Sequence, residues 1–461
     1  MENKGDFCLT DYKKMVRELL ASREDPPLCF IHSFGCQQNV SDGEKILGLL
    51  CEMGYGVTED MTCADLIIYN TCAVREGAEL KVYSLVGNLK KLKERKPGLI
   101  IGLCGCMAQQ EKTVEKIRKS YRYVDMVFGT FALQELPRLL YKALTERKLA
   151  VDITEYEGNF PEDIRPVRMG NIRAGVPVMY GCDNFCSYCI VPYVRGRERS
   201  RSPEAILAEI RELAEAGYKE IMLLGQNVNS YGKNLDKPVS FSGLLRRINE
   251  IDGDFKVRFM SPHPKDATKD FIDAIIECDK VCKHLHLPLQ SGSDSILKAM
   301  NRRYTAEKYL EIVDYARSRI PGFSISTDII VGFPNETAED FAETIKMVKQ
   351  VKYDNIFSFI YSKRTGTKAA LMEDAVSDEE KRERMKELLE VQRGIASEGF
   401  KRFVGKTLTV LFESENGEGI CSGKSDEFII VEAKADTSVI GSRKQVKITK
   451  AFNWALQGEI I

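Results

Sequence analysis

The sequence has no long hydrophobic run, and none of its apolar stretches approaches the roughly 18 residues that a membrane-spanning helix requires. Its first segment, MENKGDFCLTDYKKMVRELLASREDPP, is too rich in charged residues for a secretory signal. Internal repeats and low-complexity segments are also missing, so a repeat architecture is not expected. These absences together predict a cytoplasmic protein that does not enter a membrane.

An excess of charge of one sign is missing as well. The 67 Lys and Arg residues balance 68 Asp and Glu residues, which leaves a formal net charge of −1. The overall charge therefore neither favours nor excludes a polyanionic partner, and any RNA-binding surface must be local. The length of 461 residues predicts two to four domains, at roughly 100–200 residues each.

Short apolar runs alternate with helical patterns along most of the chain, which predicts an α/β fold. Residues 28–150 contain the candidate strands LCFIHSF, ADLIIYN, LIIGLC and VDMVF, so we expect an amino-terminal parallel α/β domain there. Residues 171–399 contain six strand–helix units and predict a partial (β/α)6 barrel rather than a closed barrel of eight units. Residues 400–461 alternate at period two between Gly-containing turns, which predicts a small OB-like β-barrel.

Two further segments complete the predicted organisation. Residues 1–27 predict a polar helical arm that ends at Pro26 and Pro27. Residues 151–170, VDITEYEGNFPEDIRPVRMG, contain two prolines and few large apolar residues, as a linker would.

Cysteine is abundant, and in a cytoplasmic protein its 14 residues favour metal or redox chemistry over disulfides. Three of them form a C-x3-C-x2-C pattern in YGCDNFCSYC, namely Cys182, Cys186 and Cys189. Such a loop can place three thiolates around an iron–sulfur cluster. A structural zinc site commonly uses four ligands in paired C-x2-C units, and no second pair lies nearby. We therefore favour a [4Fe-4S] cluster with one open iron, with a zinc knuckle or chance cysteines as the alternatives.

Three other cysteines each follow a predicted strand of the first domain: Cys36 in SFGCQQN, Cys72 in NTCAVRE and Cys106 in GCMAQ. If the strands are parallel, their carboxyl ends share one edge of the sheet and the cysteines can converge. Gly35 and Gly105 suit tight turns through which the backbone approaches a bulky cofactor. The alternative is burial as small hydrophobic residues. Cys104 competes with Cys106, but we expect its position two residues earlier to leave it short of the turn.

Because it contains both sets of cysteines, the chain from Leu28 onward resembles the methylthiotransferase family of radical S-adenosylmethionine (SAM) enzymes. The resemblance implies two [4Fe-4S] clusters and SAM as cofactors, and a TRAM fold for the last domain. It implies that Cys36, Cys72 and Cys106 hold an auxiliary cluster. It implies that Cys182, Cys186 and Cys189 hold the cluster whose open iron binds SAM.

Polar residues at strand ends are the candidates for contact with SAM, because ligands of α/β folds bind at the carboxyl ends of strands. Tyr188 stands where the family commonly has an aromatic residue that contacts the adenine. LLGQNVN stands where many members of the superfamily have Gly-Gly-Glu, a departure that keeps polar groups at the strand end. The candidates are Tyr188, Gly225, Gln226, Asn227, Ser261, Gln290 and Asp328. Ser261, Gln290 and Asp328 could each instead be a turn or capping residue, and Tyr188 could be an ordinary packed tyrosine.

Two basic stretches are the candidates for contact with RNA. In RGRERSR, the four guanidiniums of Arg195, Arg197, Arg199 and Arg201 either bind phosphates or belong to a solvated surface in which Glu198 pairs with its neighbours. The last domain carries Lys424, Arg443, Lys444 and Lys447. Because its charges nearly cancel, the assignment of RNA binding to this domain rests mainly on the resemblance.

Five motifs indicate the target within the family: SFGCQQN, NTCAVRE, YGCDNFCSYCIVPYVRGRERSR, HLPLQSGSDSILKAMNRRYT and FSFIYSKRTGTKAA. They are most similar to members that methylthiolate C2 of N6-dimethylallyladenosine at position 37 of tRNA, next to the anticodon. The nearest alternatives are members that modify threonylcarbamoyladenosine in tRNA or an aspartate of a ribosomal protein. A two-cluster electron carrier and an RNA-binding protein with structural metal sites are the rivals from other classes.

The resemblance also implies a reaction and its partners. One SAM donates a methyl group to sulfur held at the auxiliary cluster, and a second SAM yields a 5′-deoxyadenosyl radical that abstracts hydrogen from C2 of the adenine. The implied partners are the anticodon stem-loop of tRNA, an electron donor such as flavodoxin or ferredoxin, and iron–sulfur assembly or carrier proteins.

Overall fold

Parallel strands flanked by helices form the first of two units in the chain. The computed structural model describes residues 8–73, 76–155, 162, 164–320 and 322–461. The first unit comprises the described residues up to Met169, with Tyr180–Cys182 and Ile190–Arg199. Its main elements are α1 (Leu9–Leu20), β1 (Leu28–Ser33), α2 (Gln37–Glu52), β2 (Gly56–Val57), β3 (Leu66–Thr71), α3 (Glu76–Arg95), β4 (Ile100–Gly105), α4 (Glu111–Ser120), β5 (Met126–Phe128), α5 (Leu136–Glu146) and β6 (Ala150–Asp152).

The six strands of this unit form one parallel sheet in the order β2-β1-β3-β4-β5-β6. Every residue of β3 and β4 is buried, which explains why these strands read as continuous apolar runs rather than alternating ones. Residues of α1, α2 and α5 share one apolar core, and residues of α3 and α4 share another. The prediction of an amino-terminal parallel α/β domain is confirmed, with the short strands β2 and β6 added to it.

The predicted arm and linker both contribute to this unit where they are described. Val16 and Leu20 of α1 are buried in the core, so the arm is part of the first unit rather than a detached extension. In the predicted linker, Arg168 pairs with Glu44 of α2 at 2.7 Å between Nη1 and Oε2. Residues 1–7 of the arm and residues 156–161 and 163 of the linker lie outside the described residues.

A second series of strands and helices forms the larger unit. The main elements of this part of the chain are β7 (Arg173–Pro177), β8 (Met179–Tyr180), α6 (Val191–Arg195), β9 (Arg199–Ser200), α7 (Pro203–Glu215), β10 (Glu220–Leu224), α8 (Phe241–Asn249), β11 (Lys256–Phe259), α9 (Lys269–Glu277), β12 (His284–His286), α10 (Asp294–Ala299), α11 (Ala306–Arg319), β13 (Ser324–Val331), α12 (Ala338–Val351), β14 (Asn355–Ile360) and α13 (Asp378–Phe400). Of these, α6, Tyr180 of β8 and Arg199 of β9 belong to the first unit, and the rest belong to the second.

Six of these strands build the predicted partial barrel. They form two parallel three-stranded sheets, β7-β10-β11 and β12-β13-β14. An isolated bridge joins Val257 of β11 to Val281, three residues before β12. Apolar residues from the strands and the surrounding helices pack into one core. The prediction of an α/β partial barrel with six strand–helix units is confirmed.

The chain ends in a closed five-stranded barrel, which confirms the predicted β-barrel. Its strands are β15 (Thr407–Glu415), β16 (Ile420–Ser425), β17 (Ile430–Lys434), β18 (Arg443–Ala451) and β19 (Leu456–Ile460), in the order β15-β16-β17-β19-β18. Strand β16, with the sequence ICSGKS, was not predicted. A Cβ atom at Gly423 would lie 2.1 Å from the carbonyl oxygen of Leu411, so the close approach of the two strands requires glycine at this position. Glycine inside a strand weakens the sequence pattern by which a strand is predicted.

This terminal barrel packs on the amino-terminal ends of the partial barrel's strands. Arg258 of β11 donates from Nε to Oε2 of Glu220 at 2.6 Å and from Nη2 to the carbonyl oxygen of Ser425 at 2.6 Å. The ring of Phe428 stacks on His284, the first residue of β12, at 4.8 Å between centroids. The carboxyl ends of the parallel strands lie at the other end of the partial barrel. None of the helices in the described stretches combines the length and apolar character needed to cross a bilayer.

Candidate iron–sulfur and SAM sites

Three adjacent parallel strands bring Cys36, Cys72 and Cys106 to one edge of the first unit's sheet. Cys36 precedes α2 in the turn after β1, Cys72 directly follows β3, and Cys106 directly follows β4. The register aligns Ser33 with Asn70 on β3. It aligns Thr71 of β3 with Gly105 of β4. The carboxyl ends of the strands therefore coincide, as the sequence predicted.

The turn before Cys36 is shaped to accept Cys72. Gly35 has φ of +97°, and a Cβ atom added there would lie 2.5 Å from Cβ and 2.6 Å from Sγ of Cys72. A larger residue would clash and would also be strained in this backbone conformation. The glycine thus lets two of the candidate ligands approach each other.

Two asparagines that the sequence analysis did not single out hold these turns together. Asn39 donates from Nδ2 to the carbonyl oxygens of Phe34 and Thr71, both at 2.8 Å, so one side chain links the turns after β1 and β3. Asn70 donates from Nδ2 to the carbonyl oxygen of Asn39 at 2.6 Å. Their signal was present in the motifs SFGCQQN and NTC, where an asparagine stands close to each cysteine.

Arg195 lies beside the same cysteines. It is 5% exposed, and its Nε donates to Sγ of Cys106 at 3.2 Å. Its Nη2 donates to Oδ1 of Asn39 at 2.6 Å and to Oδ2 of Asp42 at 2.7 Å. Both readings of this arginine from the sequence, phosphate contact or solvated surface, required exposure. The structure corrects them, because the guanidinium is buried and bound to Cys106, Asn39 and Asp42.

Burial opposes the ionisation of the Cys106 thiol. It raises the pKa of the Cys106 thiol to about 12, against an opposing effect of the Arg195 cation. The neighbouring Cys36 and Cys72 raise the pKa of Cys106 further. A bound metal would supply the positive charge that stabilises the Cys106 thiolate.

Cys104 and Cys106 point into different surroundings. Cys104 is 1% exposed and packs in the core with Met126 and Phe128. Cys106 packs with Ala73, Ile190 and Val194. The two thiols therefore have different neighbours, and the choice of Cys106 as the ligand stays a prediction.

The residues at this edge fit the ligands that an iron–sulfur cluster needs. Within the described ranges, no three Cys, His, Asp or Glu side chains are grouped as ligands of one metal ion. Three cysteines around a cubane bind three different irons and stand further apart than the ligands of one ion. Three thiols beside a buried guanidinium fit an anionic iron–sulfur cluster, because the arginine offsets the negative charge of thiolate ligands.

The loop that carries Cys186 and Cys189 is held by the segment after α10. Asn301 donates from Nδ2 to the carbonyl oxygens of Asn184 and Phe185 at 3.1 and 3.0 Å. Ser187 donates from its backbone N–H to the carbonyl oxygen of Met300 at 3.0 Å and from Oγ to that of Ala299 at 2.8 Å. The cysteine loop is therefore fixed by backbone and side-chain hydrogen bonds from one neighbouring segment.

A second buried arginine, which sequence reasoning missed, contacts this loop. Arg302 is 5% exposed, and its Nη1 donates to Sγ of Cys186 at 3.5 Å. Its Nη2 donates to the carbonyl oxygen of Pro288 at 2.8 Å. The motif MNRRYT contains this residue, but two consecutive arginines do not show which of them is buried.

The SAM candidates after β10 and β11 lie at strand ends, as predicted. Gly225, Gln226 and Asn227 directly follow β10, and Oε1 of Gln226 is buried with no hydrogen-bond partner among the described residues. Asn227 donates from Nδ2 to Oδ2 of Asp266 at 2.9 Å. Ser261, two residues after β11, is exposed with φ of +70°.

The remaining SAM candidates occupy different positions. Gln290 follows β12, with its N–H bonded to the carbonyl oxygen of Asp328 at 2.9 Å. Asp328 lies in the middle of β13 rather than at its end, and its Oδ1 lies 3.4 Å from Nε2 of His286. Tyr188 packs against an apolar group that includes Phe333 and Tyr361.

The other RNA candidates divide by exposure. Arg197 is exposed, and Arg199 is half-buried over the ring of Phe131 at 5.2 Å. Arg201 is buried and donates to Glu209 at 2.7 Å and to the carbonyl oxygen of Pro177 at 2.8 Å, so it too departs from the predicted exposed position.

In the terminal barrel, Lys444 and Lys447 of β18 are exposed. Arg443 forms an ion pair with Asp254, and Lys424 lies over the ring of Phe428 at 4.8 Å. Only two of the four candidate cations of this barrel are therefore freely exposed on its surface.

Three family descriptions match the chain. Residues 176–348 match the Radical SAM superfamily, residues 28–129 match the Uncharacterized protein family UPF0004, and residues 401–461 match the TRAM domain. A tRNA-2-methylthio-N(6)-dimethylallyladenosine synthase of Thermoanaerobacter pseudethanolicus is 48% identical over 98% of this chain and 97% of the relative. Synthases of the same name from Acetivibrio thermocellus and Clostridium tetani are each 50% identical, over 94% and 96% of this chain and 90% and 99% of the relatives.

Solved structures support the fold alone. The radical SAM methyltransferase TsrM of Kitasatospora setae matches with a TM-score of 0.56 at 14% identity, over 75% of this chain and 74% of that one. The radical SAM enzyme OxsB matches with a TM-score of 0.53 at 15% identity, over 81% and 56% of the two chains. The resemblance inferred from the motifs is confirmed by the full-length relatives.

Proposed function

The chain belongs to the tRNA-2-methylthio-N(6)-dimethylallyladenosine synthases, and from this premise we propose how its residues serve the reaction. It is a radical SAM tRNA methylthiotransferase that adds a methylthio group to C2 of N6-dimethylallyladenosine beside the anticodon. The observation that carries the proposal is the convergence of Cys36, Cys72 and Cys106 at one sheet edge. A second cysteine site accounts for sulfur insertion, which a single SAM cluster does not.

We assign the two cysteine sets to two [4Fe-4S] clusters. Cys182, Cys186 and Cys189 hold the cluster that binds SAM, and Cys36, Cys72 and Cys106 hold the auxiliary cluster. When bound, the first cluster with SAM supplies the 5′-deoxyadenosyl radical, and the auxiliary cluster supplies the sulfur. The chain would contribute three thiolates to each cluster, which would leave one iron of each open to an exogenous ligand.

Gln226 is the residue we place at the ammonium group of SAM. Its buried Oε1 is an acceptor that no described residue satisfies, and leaving such an atom unpaired is costly. An ammonium donor from the cofactor would satisfy it. Gly225, Asn227, Ser261, Gln290 and Asp328 are proposed to line the rest of the SAM site, with Tyr188 against the adenine.

Exposed and half-buried cations are proposed to bind the RNA. Arg197 and Arg199 follow the SAM cysteine loop in sequence, and Lys444 and Lys447 lie on the surface of the terminal barrel. Their role would be to hold phosphates of the anticodon stem-loop, since phosphate contacts position a nucleic acid. We also propose a cytoplasmic location, a flavodoxin or ferredoxin as the electron donor, and delivery of clusters by iron–sulfur carrier proteins.

An anaerobic reconstitution tests this function. The purified chain, loaded with iron and sulfide, is incubated with SAM, dithionite and an anticodon stem-loop that carries N6-dimethylallyladenosine. Nucleosides are then analysed by mass spectrometry. We expect 2-methylthio-N6-dimethylallyladenosine and 5′-deoxyadenosine. Parallel reactions with threonylcarbamoyladenosine RNA and with a ribosomal-protein substrate test the two alternatives, and product in one of these reactions alone would refute the proposed target.

A further inference from the structure

A buried guanidinium touches the sulfur of a proposed cluster ligand. Arg195 lies six positions after Cys189 in the sequence, at the end of α6, and its Nε–H is 3.2 Å from Sγ of Cys106. Val194 of the same helix and its N-cap residue Ile190 belong to the apolar group around Cys106. The contact is therefore part of a packed arrangement in which α6 covers one cysteine of the auxiliary set.

Several partners fix the orientation of this guanidinium. Its Nη2 is shared between Asn39 at 2.6 Å and Asp42 at 2.7 Å, and Asp42 accepts a further hydrogen bond from Gln38 at 3.2 Å. The planar group can thus direct Nε–H at the sulfur while its other edge is held by α2. Burying a cation is costly. An ion pair with Asp42 would offset that cost even if Arg195 did not contact Cys106, so the ion pair alone does not account for the contact with sulfur.

A hydrogen bond from a cation has a specific effect on an iron–sulfur cluster. Hydrogen bonds to the sulfurs and the local charge help to set the reduction potential of such clusters. Donors around the ligands also hold them in place and change metal affinity. A cation close to a thiolate ligand favours the more negative, reduced cluster and raises the potential.

We propose that Arg195 is a positioning residue of the auxiliary cluster, which holds the thiolate of Cys106 through Nε–H and raises the reduction potential of that cluster. The inference rests on the proposed function, because it requires a cluster at Cys36, Cys72 and Cys106. Arg195, although it belongs to the basic RGRERSR stretch, thus has a role at the auxiliary cluster rather than in RNA binding.

The test uses a full-length parent in which Cys182, Cys186 and Cys189 are replaced by alanine, so that only the auxiliary cluster remains. Arg195→Gln, Arg195→Lys and Arg168→Gln are made in this parent, reconstituted anaerobically and assayed for iron and sulfide. The midpoint potential is then measured by a dithionite titration followed by electron paramagnetic resonance. Arg168 is the matched control, since it forms a partly buried ion pair with Glu44 on the same helix as Asp42.

We expect a more negative midpoint potential in Arg195→Gln, an intermediate value in Arg195→Lys and the parental value in Arg168→Gln. Loss of the cluster in Arg195→Gln but not in Arg195→Lys or Arg168→Gln would also support the inference, because it would show that the ligand needs a neighbouring cation. An unchanged potential in Arg195→Gln would overturn it, as would equal loss of the cluster in all three variants. A parent without any cluster would instead refute the proposed auxiliary site.

Discussion

Arg302 donates a hydrogen bond to Cys186 at 3.5 Å between Nη1 and Sγ, as Arg195 does to Cys106 at 3.2 Å between Nε and Sγ. Each cysteine set therefore has one buried arginine at one of its sulfurs. Arg302 is also bound to the carbonyl oxygen of Pro288, which lies two residues before Gln290. It thus connects the cysteine loop to the segment after β12.

Replacement of Arg302 by glutamine should impair the SAM cluster. The variant loses the cation at Cys186 and leaves the carbonyl of Pro288 without this donor, so we expect SAM cleavage to fall roughly 10- to 100-fold, the range typical of residues that support metal ligands. The adjacent Arg303 is exposed, and Arg303→Gln is the control. Formation of 5′-deoxyadenosine by anaerobic protein with dithionite measures the effect. Equal rates for the two variants would show that the sulfur contact has no role.

Substitution of Gly35 should remove the auxiliary cluster selectively. Gly35→Ala places a methyl group 2.5 Å from Cβ of Cys72 in a backbone conformation unfavourable for alanine, so the turn must shift. Iron should fall from about eight to about four per chain, which corresponds to the loss of one cubane. Gly87→Ala is the control, since nothing lies within 4 Å of a Cβ there and the residue is within α3. That variant should keep both clusters and gain about 0.5–1 kcal/mol of stability. A full iron content in Gly35→Ala would contradict the proposed geometry.

The sequence predicted the elements that have strong local signals. The buried strands β3 and β4 are continuous apolar runs, and the cysteines follow them at turns, so their convergence could be inferred from the parallel topology. Strand β16 was missed because it contains glycine and polar residues. Gly423 is required by the close approach of Leu411, a contact that the sequence of β16 alone does not show. The mid-strand position of Asp328 was missed because β13 continues to Val331.

The environments of charged residues could not be predicted. Arg195 and Arg201 belong to one basic stretch, which by its composition indicates an exposed surface. The partner that buries Arg195 is Asp42, 153 residues earlier in the chain. Only the folded chain shows that this guanidinium is neutralised by a carboxylate on α2, or that Arg302 is buried beside Cys186.

Cys104 and Cys106 should respond differently to substitution. Cys106→Ala removes a proposed ligand and should lower the iron content by about four per chain or leave an unstable cluster. Cys104→Ala removes only a core sulfur that packs with Met126 and Phe128, so both clusters should remain with a loss of about 1 kcal/mol in stability. Iron and sulfide analysis with thermal unfolding separates the two effects. Cluster loss in Cys104→Ala alone would reverse the assignment.

Glu220 should make stability depend on pH. Burial alone would raise the pKa of this carboxyl, but Arg258 and Arg173 outweigh that effect and lower the pKa below its usual value near 4.5. Its stabilising contribution is therefore complete above pH 4.5 and is lost as the pH falls through the lowered folded value. Glu220→Gln should destabilise the protein by about 3 kcal/mol at pH 7, because two arginines lose their buried partner. The difference in unfolding free energy between wild type and variant should shrink below pH 4.5. A constant difference from pH 7 to pH 3 would contradict the ion pairing.

The exposed and paired cations of the terminal barrel should have separable roles. Lys444 and Lys447 are exposed, so Lys444→Ser and Lys447→Ser should each weaken binding of the anticodon stem-loop and reduce the slope of log affinity against log salt concentration by about 1, with little change in melting temperature. Arg443 is bound to Asp254 of the partial barrel, so Arg443→Ser should mainly lower the melting temperature. Titrations of labelled RNA at several salt concentrations, with thermal melts of the same samples, measure both effects. A salt slope that changes only in Arg443→Ser would move the RNA contact to that residue, because a cation that neutralises a phosphate must release a counterion when RNA binds.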